Sequence, residues 1–258
     1  MYQSLTAEQF RAHLGLPEGH AVHGFLGCGT WDLNAEPHLA HLRRALASMG
    51  IGAELRRLEH SGVGHGHEFT IDGRNYWFAP VMGTAVMSVY AHVACLLGSR
   101  KNILVGVVGG LREGVAMADF VVPTQTRGNE SALMYQRDAT DMLFRPDGAL
   151  RASLLARLPT DVRVFEGPTL TCEAIYAETI EDVREWSAAG YLGVEMEAAL
   201  MFAVSRRFGV PCAALLFVAD NLVEETTVLD DRFKTSKAAR DQAREVQYRA
   251  ALEELLAG

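Results

Sequence analysis

Two acids one residue apart, Glu195 and Glu197, stand in the stretch Gly193-Val194-Glu195-Met196-Glu197-Ala198-Ala199, ahead of an apolar run. Paired carboxylates offer several acceptor oxygens to hydroxyl or amine groups. At the start of a helix the same charges would only complement its dipole. A third acid, Asp220, directly follows the apolar Phe217-Val218-Ala219, which places a carboxyl at the end of a buried strand. A fourth, Asp32, follows Gly27-Cys28-Gly29-Thr30 and suits either a general base or the cap of a helix beginning near Asn34. His60, His65 and His67 fall in the glycine-rich segment Glu59–His67. They lack a further evident ligand, so the segment reads as a flexible loop with solvated histidines, and no metal is expected. The cysteines Cys28, Cys95, Cys172 and Cys212 are too far apart for a zinc ribbon or a C-x-x-C pair. A reducing, cytoplasmic setting fits them.

The elements that must position these residues alternate along the chain. Apolar, β-branched runs predict strands at Ala21–Leu26, Tyr76–Val81, Ile103–Val108, Phe120–Pro123, Val162–Phe165 and Ala213–Ala219. Helical patterns fall at Glu36–Met49, Ala85–Leu97, Ile180–Ala189, Glu195–Phe208 and Ser236–Leu256. In the second of these, Val86, Val89, Val93 and Leu96/Leu97 trace one buried face; in the last, Ala239, Ala243, Val246 and Ala250 do so. The fold class expected is α/β, three layers αβα around a mixed, largely parallel sheet, as one domain over residues 1–258. Ligands in such sheets bind beyond the carboxyl ends of strands, so the loops after Leu26, Val81, Val108, Phe165 and Ala219 are the ones to watch.

Composition narrows the partners. A formal charge of −8 argues against a broad nucleic-acid or anionic-membrane surface. Ala79–Ser99 carries no Asp, Glu, Lys or Arg, but Pro80, Gly83, Thr84, Ser88 and His92 break it into a strand end, a turn and a buried helix, so no membrane span is expected. The segment Met1–Leu16 has no apolar signal-peptide core. Gly106-Val107-Val108-Gly109-Gly110 does not fit G-x-G-x-x-G, which counts against a Rossmann oxidoreductase.

Taken together, GVEMEAALMFAVSRRFGVPCAALLFVADN resembles the signature of the nucleoside phosphorylase and N-ribosyl hydrolase superfamily, with Ala219 in place of its usual serine. Val105-Gly106-Val107-Val108-Gly109-Gly110-Leu111, Asp119-Phe120-Val121-Val122-Pro123-Thr124 and Val81-Met82-Gly83 extend the resemblance, which runs from about Val22 to Arg232. It implies that Glu197 receives the ribose hydroxyls, that Met196 and Met82 pack on the sugar, and that Asp220 protonates or hydrogen-bonds the departing base. It also implies base contacts from Ile175, Tyr176 and Asn221, and a nucleophile pocket at Gly27, Thr30, Val107 and Gly109. The His60–His67 loop would lie near the ribose 5′ end. No cofactor is implied; the partner is a small nucleoside or nucleotide, and the assembly a homo-oligomer, dimer or hexamer.

The same resemblance bears on the nucleophile. Phosphorylases of this superfamily hold phosphate with an arginine in an N-terminal G-D-P-x-R loop, another before V-G-[ST], and the Ser or Thr of that motif. This chain has no arginine in Gly27–Asp32, and it has Leu104 and Val107 at the other two positions. A phosphate dianion without guanidinium donors binds poorly. Asp32, five residues after Gly27, matches the water-activating acid of the hydrolase branch in position. The expectation is therefore N-glycosidic cleavage with water as nucleophile. The alternatives are a phosphorylase whose phosphate ligands lie elsewhere, or a nucleoside-binding regulator that has lost catalysis.

Overall fold

The computed structural model of the chain describes residues 4–32, 34–60, 62–138 and 140–257. A short helix α1 (Ala7–His13), closed at its start by a Thr6–Gln9 capping box, leads into β1 (Val22–Gly29) and α2 (Ala35–Ser48). Then come β2 (Leu55–Arg57), β3 (His67–Ile71), β4 (Arg74–Val81), α3 (Thr84–Leu96), β5 (Asn102–Gly110) and β6 (Phe120–Arg127). The central part continues with α4 (Glu130–Leu133), β7 (Leu143–Phe144), α5 (Gly148–Ala156), β8 (Val164–Thr171), α6 (Ile180–Ala188) and β9 (Gly193–Glu195). It finishes with α7 (Ala198–Phe208), β10 (Cys212–Asn221), α8 (Asp231–Thr235) and α9 (Lys237–Leu256).

The strands form one mixed sheet in the order β10-β6-β8-β9-β5-β1-β4-β3-β2, and β10 also pairs with β5. That additional pairing closes β5, β10, β6, β8 and β9 into a ring, from which β1 to β4 extend as a wing. The long central pairings, β1 with β4, β1 with β5 and β5 with β10, are parallel; β6–β10, β5–β9 and the β2–β3–β4 meander are antiparallel. β1, β5 and β10 are buried almost throughout, as strands covered on both faces must be.

Helices α3 and α7 cover one face: Met87, Tyr90, Ala91 and Ala94 pack with Leu200, Phe202 and Val204 over Phe25, Leu104 and Ala214. Helices α2 and α9 cover the other, where Leu39, Leu42 and Leu46 meet Tyr248, Leu252 and Leu255 over Leu26, Ile103 and Val105. This is the expected three-layer α/β architecture.

Four details differ from the sequence reading. The Glu195–Phe208 helix begins only at Ala198, because Glu195 ends strand β9. On α3 the buried face is Met87, Tyr90, Ala91 and Ala94, with Val93 and Leu97, whereas Val86 and Val89 face outward, 40% and 43% exposed. The helix is apolar nearly all round, so spacing could not tell which stripe met the sheet. On α9, Ala239 is exposed and Val246 half-buried, while Ala243 and Ala250 are buried as expected; the inward face also takes in Gln247, Tyr248, Ala251, Leu252 and Leu255. Strand β8 also runs on to Thr171, so its carboxyl-end loop follows that residue rather than Phe165.

Candidate active site

The parallel strands β1, β5 and β10 end side by side, and a cavity of about 470 Å³ opens beyond them. Its floor is Gly29, Val107–Gly109 and Ala219–Asp220; Glu195–Glu197 form one wall, and the segments Cys172–Ile180 and Leu222–Leu229 reach over it.

Glu195 and Glu197, though two residues apart, are used differently. The Glu195 carboxylate turns back on its own chain: Oε2 accepts the backbone N–H groups of Glu197 (2.7 Å) and Ala198 (2.6 Å). Its other oxygen accepts the Thr171 hydroxyl, and Thr171 Oγ1 in turn accepts the N–H of Ala199 at 3.1 Å. These bonds satisfy amides that a helix start leaves without partners, so Glu195 and Thr171 together cap α7.

Glu197 points the other way. Its Oε1 accepts the N–H of Gly83 at 2.7 Å, where the chain enters α3 with a φ of 84° that glycine adopts without strain. Its Oε2 lies against the end of β1, so close that a Cβ on Gly29 would stand 2.3 Å away. The absence of a side chain at Gly29 therefore makes room for this carboxylate. Burial, followed by repulsion from Glu195, pushes the Glu197 carboxyl up to about 8.

Asp220 sits where β10 slips register against β5, between Val218 and Asp220, so that it pairs with Gly109. Burial first and then the charge of Glu178 push its carboxyl up to about 6, against the opposing pull of Arg240. Glu178, half-buried and itself raised chiefly by burial, also lines the cavity. Sequence reasoning missed it, since it belongs to a loop without periodicity; its one signal was its place just past Ile175 and Tyr176.

The cavity brings together Glu197, Met196, Asp220, Ile175, Tyr176, Thr30, Val107 and Gly109. Tyr176 is 92% exposed at its mouth, not a core aromatic. Four other expected residues stand elsewhere. Asn221 is buried, and its amide donates to the carbonyls of Arg112 (3.0 Å) and Val115 (2.7 Å) while its Oδ1 accepts the Val223 N–H. It fastens a loop and has no donor left for a base. Gly27 lies two residues too early on the strand, under Met87 and Met201, and Gly29 takes the place beside the cavity. Met82 is 41% exposed and lines none of the cavity. Asp32 is exposed, accepts the Asn34 N–H at 3.0 Å, and borders a smaller neighbouring cavity; Asn34 itself caps α2.

His67 is buried in β3, while His60 Nδ1 accepts the Gly62 N–H, and Tyr90 Oη accepts the His65 N–H. Among the described residues no group of three His, Cys, Asp or Glu side chains is placed to hold a metal ion. Ser61, within this loop, lies outside the described residues.

The Glu197 carboxyl, seated between Gly83 and Gly29, thus shares one cavity with a second buried carboxyl, Asp220, that is held above its ordinary range. A profile of the phosphorylase superfamily matches residues 37–253. The chain belongs to that superfamily. A DeoD-type purine nucleoside phosphorylase of Clostridium beijerinckii is 30% identical over 161 residues, 58% of this chain and 65% of the relative. The chain thus spans just under two thirds of that relative's length. A guanosine phosphorylase of Halorubrum lacusprofundi is 33% identical over 128 residues, 49% of this chain and 53% of the relative. In three dimensions, uridine phosphorylase from Vibrio fischeri ES114 superimposes with a TM-score of 0.75 at 18% identity, covering 99% of this chain and 100% of that one. The phosphorylase-superfamily fold is thereby shared end to end with that structure.

Two of the positions that the resemblance gives to the nucleophile carry apolar side chains. Leu104 is completely buried in the core, and Val107 is half-buried on the cavity floor. No helix of the described residues is long and apolar enough to cross a membrane.

Proposed function

We propose that this chain cleaves the N-glycosidic bond of a purine nucleoside, with phosphate as the nucleophile. The observation that carries the reading is the meeting of Glu197 and Asp220 in one cavity, two carboxyls that burial keeps protonated to unusually high pH. A neutral carboxyl donates one hydrogen bond and accepts another, which suits Glu197 to a vicinal diol. Asp220 would supply the proton that the base needs as it leaves. Phosphate oxygen bonds to the sugar C1′, the C1′–N bond breaks with its electron pair going to the base, and the Asp220 proton neutralises that nitrogen. Met196 would pack on the sugar, and Ile175 and Tyr176 at the cavity mouth would contact the base.

The sequence put water first because three phosphate positions are absent. The relatives matched by sequence are purine nucleoside and guanosine phosphorylases, which supports phosphate as the nucleophile and purine as the base. Hydrolysis stays as the second reading on one observation, the apolar Leu104 and Val107. Asp32, exposed and turned to its own backbone, gives that reading less support than its spacing did. We further propose that the protein acts as a cytoplasmic homo-oligomer.

A nucleoside panel assayed with and without phosphate, with the sugar product identified by mass spectrometry, tests the reading. Sugar 1-phosphate formed at a phosphate-dependent rate is expected; free sugar at a phosphate-independent rate would replace it with hydrolysis. In the same assay Asp220→Asn should lower turnover by roughly 10²–10⁴-fold while the protein stays folded, the usual scale for loss of a general acid. Undiminished turnover in that variant removes Asp220 from the chemistry.

A further inference from the structure

Behind Gly29, Thr30, Val107 and Ala219 lies a second cavity of about 130 Å³, which shares these four residues and Trp31 with the main one. It is too small for a nucleoside and ample for a tetrahedral oxyanion. Its far side is helix α9, which presents Arg240 and Arg244. Four residues apart, the two guanidiniums lie on the same face of the helix, and like charges so placed repel.

Among the described residues Arg240 has no carboxylate partner, and Arg244 has one that it shares. Arg240 stacks on the Phe233 ring, 3.5 Å from its centroid, and donates to Ser236 Oγ (3.0 Å) and to the Phe233 carbonyl (2.7 Å), both uncharged acceptors. Among the described residues no carboxylate stands within ion-pairing distance of it. Arg244 meets Asp241 at 3.5 Å, yet Asp241 also pairs with Lys237.

The single acid on the wall of the small cavity is Asp32, which is exposed and spends one oxygen on the Asn34 N–H. A wider basin beyond shares Arg240 and Arg244 and adds Arg44, Lys234 and Lys237; of its acids, Glu245 is occupied by His41 and Arg44. Asp241 and Asp220 draw on Arg240 from beyond ion-pairing distance, and Arg244 shares Asp241 with Lys237; with Asp32 the single acid on its own wall, the small pocket stays net positive. Desolvated charge without a counter-ion is costly, and an anion in the cavity would relieve it.

The geometry points to Arg240 and Arg244 as the phosphate ligands of this enzyme, supplied by the C-terminal helix in place of the arginines missing from the β1 loop and from position 104. This rests on the phosphorolytic reading and deepens it. The planar guanidinium fork matches two oxygens of a phosphate, and the shared wall sets the anion beside whatever occupies the main cavity. The same pocket chemistry would take the phosphate of a nucleotide substrate, so the test carries both sources.

Inorganic phosphate is titrated into the nucleoside-free protein by calorimetry, and KM for phosphate and for nucleoside is measured in wild type, Arg240→Gln and Arg244→Gln. A nucleoside is also compared with its 5′-monophosphate. Each variant should lose at least about tenfold in phosphate affinity and in phosphate KM, the scale of a lost charge-assisted hydrogen bond, with nucleoside KM changed less than about threefold. Arg249→Gln, on the exposed side of α9 and paired with Glu253, is expected to change neither. If a Gln variant does not fold, Arg240→Lys and Arg244→Lys keep the charge but lose the fork, and phosphate KM should still rise severalfold.

Wild type that consumes phosphate while the folded variants keep its phosphate KM overturns this site and leaves phosphorolysis standing. Wild type that releases free sugar overturns phosphorolysis; the site then stands if inorganic phosphate, or selectively the 5′-monophosphate, binds wild type and not the variants, and falls otherwise.

Discussion

At Glu195 and Glu197 the same side chain does opposite things two residues apart. Glu195 has its charge spread over two amides and a hydroxyl; Glu197 has one amide, the neighbouring acid and a proton retained to about 8. Spacing revealed that two acids were present, but not that strand β9 ends between their tasks, because three residues are too few to show a period.

The raised carboxyl has a consequence for stability. In the unfolded chain Glu197 ionises near 4.5; in the folded protein it does so near 8. Its protonated form therefore contributes stability fully below pH 4.5, and that contribution is lost as pH rises through 8. Glu197→Gln is neutral throughout, so it should melt higher than wild type at pH 8–9, with the gap closing towards pH 5. Calorimetric melts across that range check this. A constant gap, or one that widens in acid, would mean that the proton is not held at this carboxyl.

Among the elements, those carrying long apolar runs were legible: β1, β4, β5 and β10 stand within a few residues of their predicted places, because a strand covered on both faces is apolar at every position. Asp220 was legible for the same reason, since a carboxyl directly after such a run has to emerge at the sheet's end. Asn221 was not, because whether a polar side chain faces a ligand or two loop carbonyls depends on the fold of residues 112–115, far away in sequence.

Helix α9 is a similar case. Its buried stripe contains Gln247, whose amide donates at 2.7 Å to the carbonyls of both Gly106 and Leu215, so a polar residue fastens the helix across β5 and β10. Gln247→Leu preserves the volume and removes both bonds. It should lower unfolding free energy by about 1–3 kcal/mol, the cost of leaving buried acceptors unpaired. Denaturant titration measures this, and an unchanged midpoint would make the contact incidental.

For the molecule as a whole, the ring of five strands has a consequence in time. β5 meets β1 along one edge, but its other edge is covered over most of its length by β10, which begins about a hundred residues later. While the chain is being synthesised, Asn102–Val108 is an apolar strand with one side bare, the kind of edge that recruits other chains. Closure cannot precede the emergence of Cys212–Asn221, and contacts so distant in sequence form slowly. Ribosome-arrested chains with residues up to Phe208 exposed should therefore be cut readily by protease and should bind a general chaperone. Chains arrested beyond a linker after residue 258 should resist the protease. Equal resistance at both lengths would mean that the sheet settles without its last strand. Otherwise the protein spends its first seconds as an open edge, and β10 is the residue run that ends that exposure.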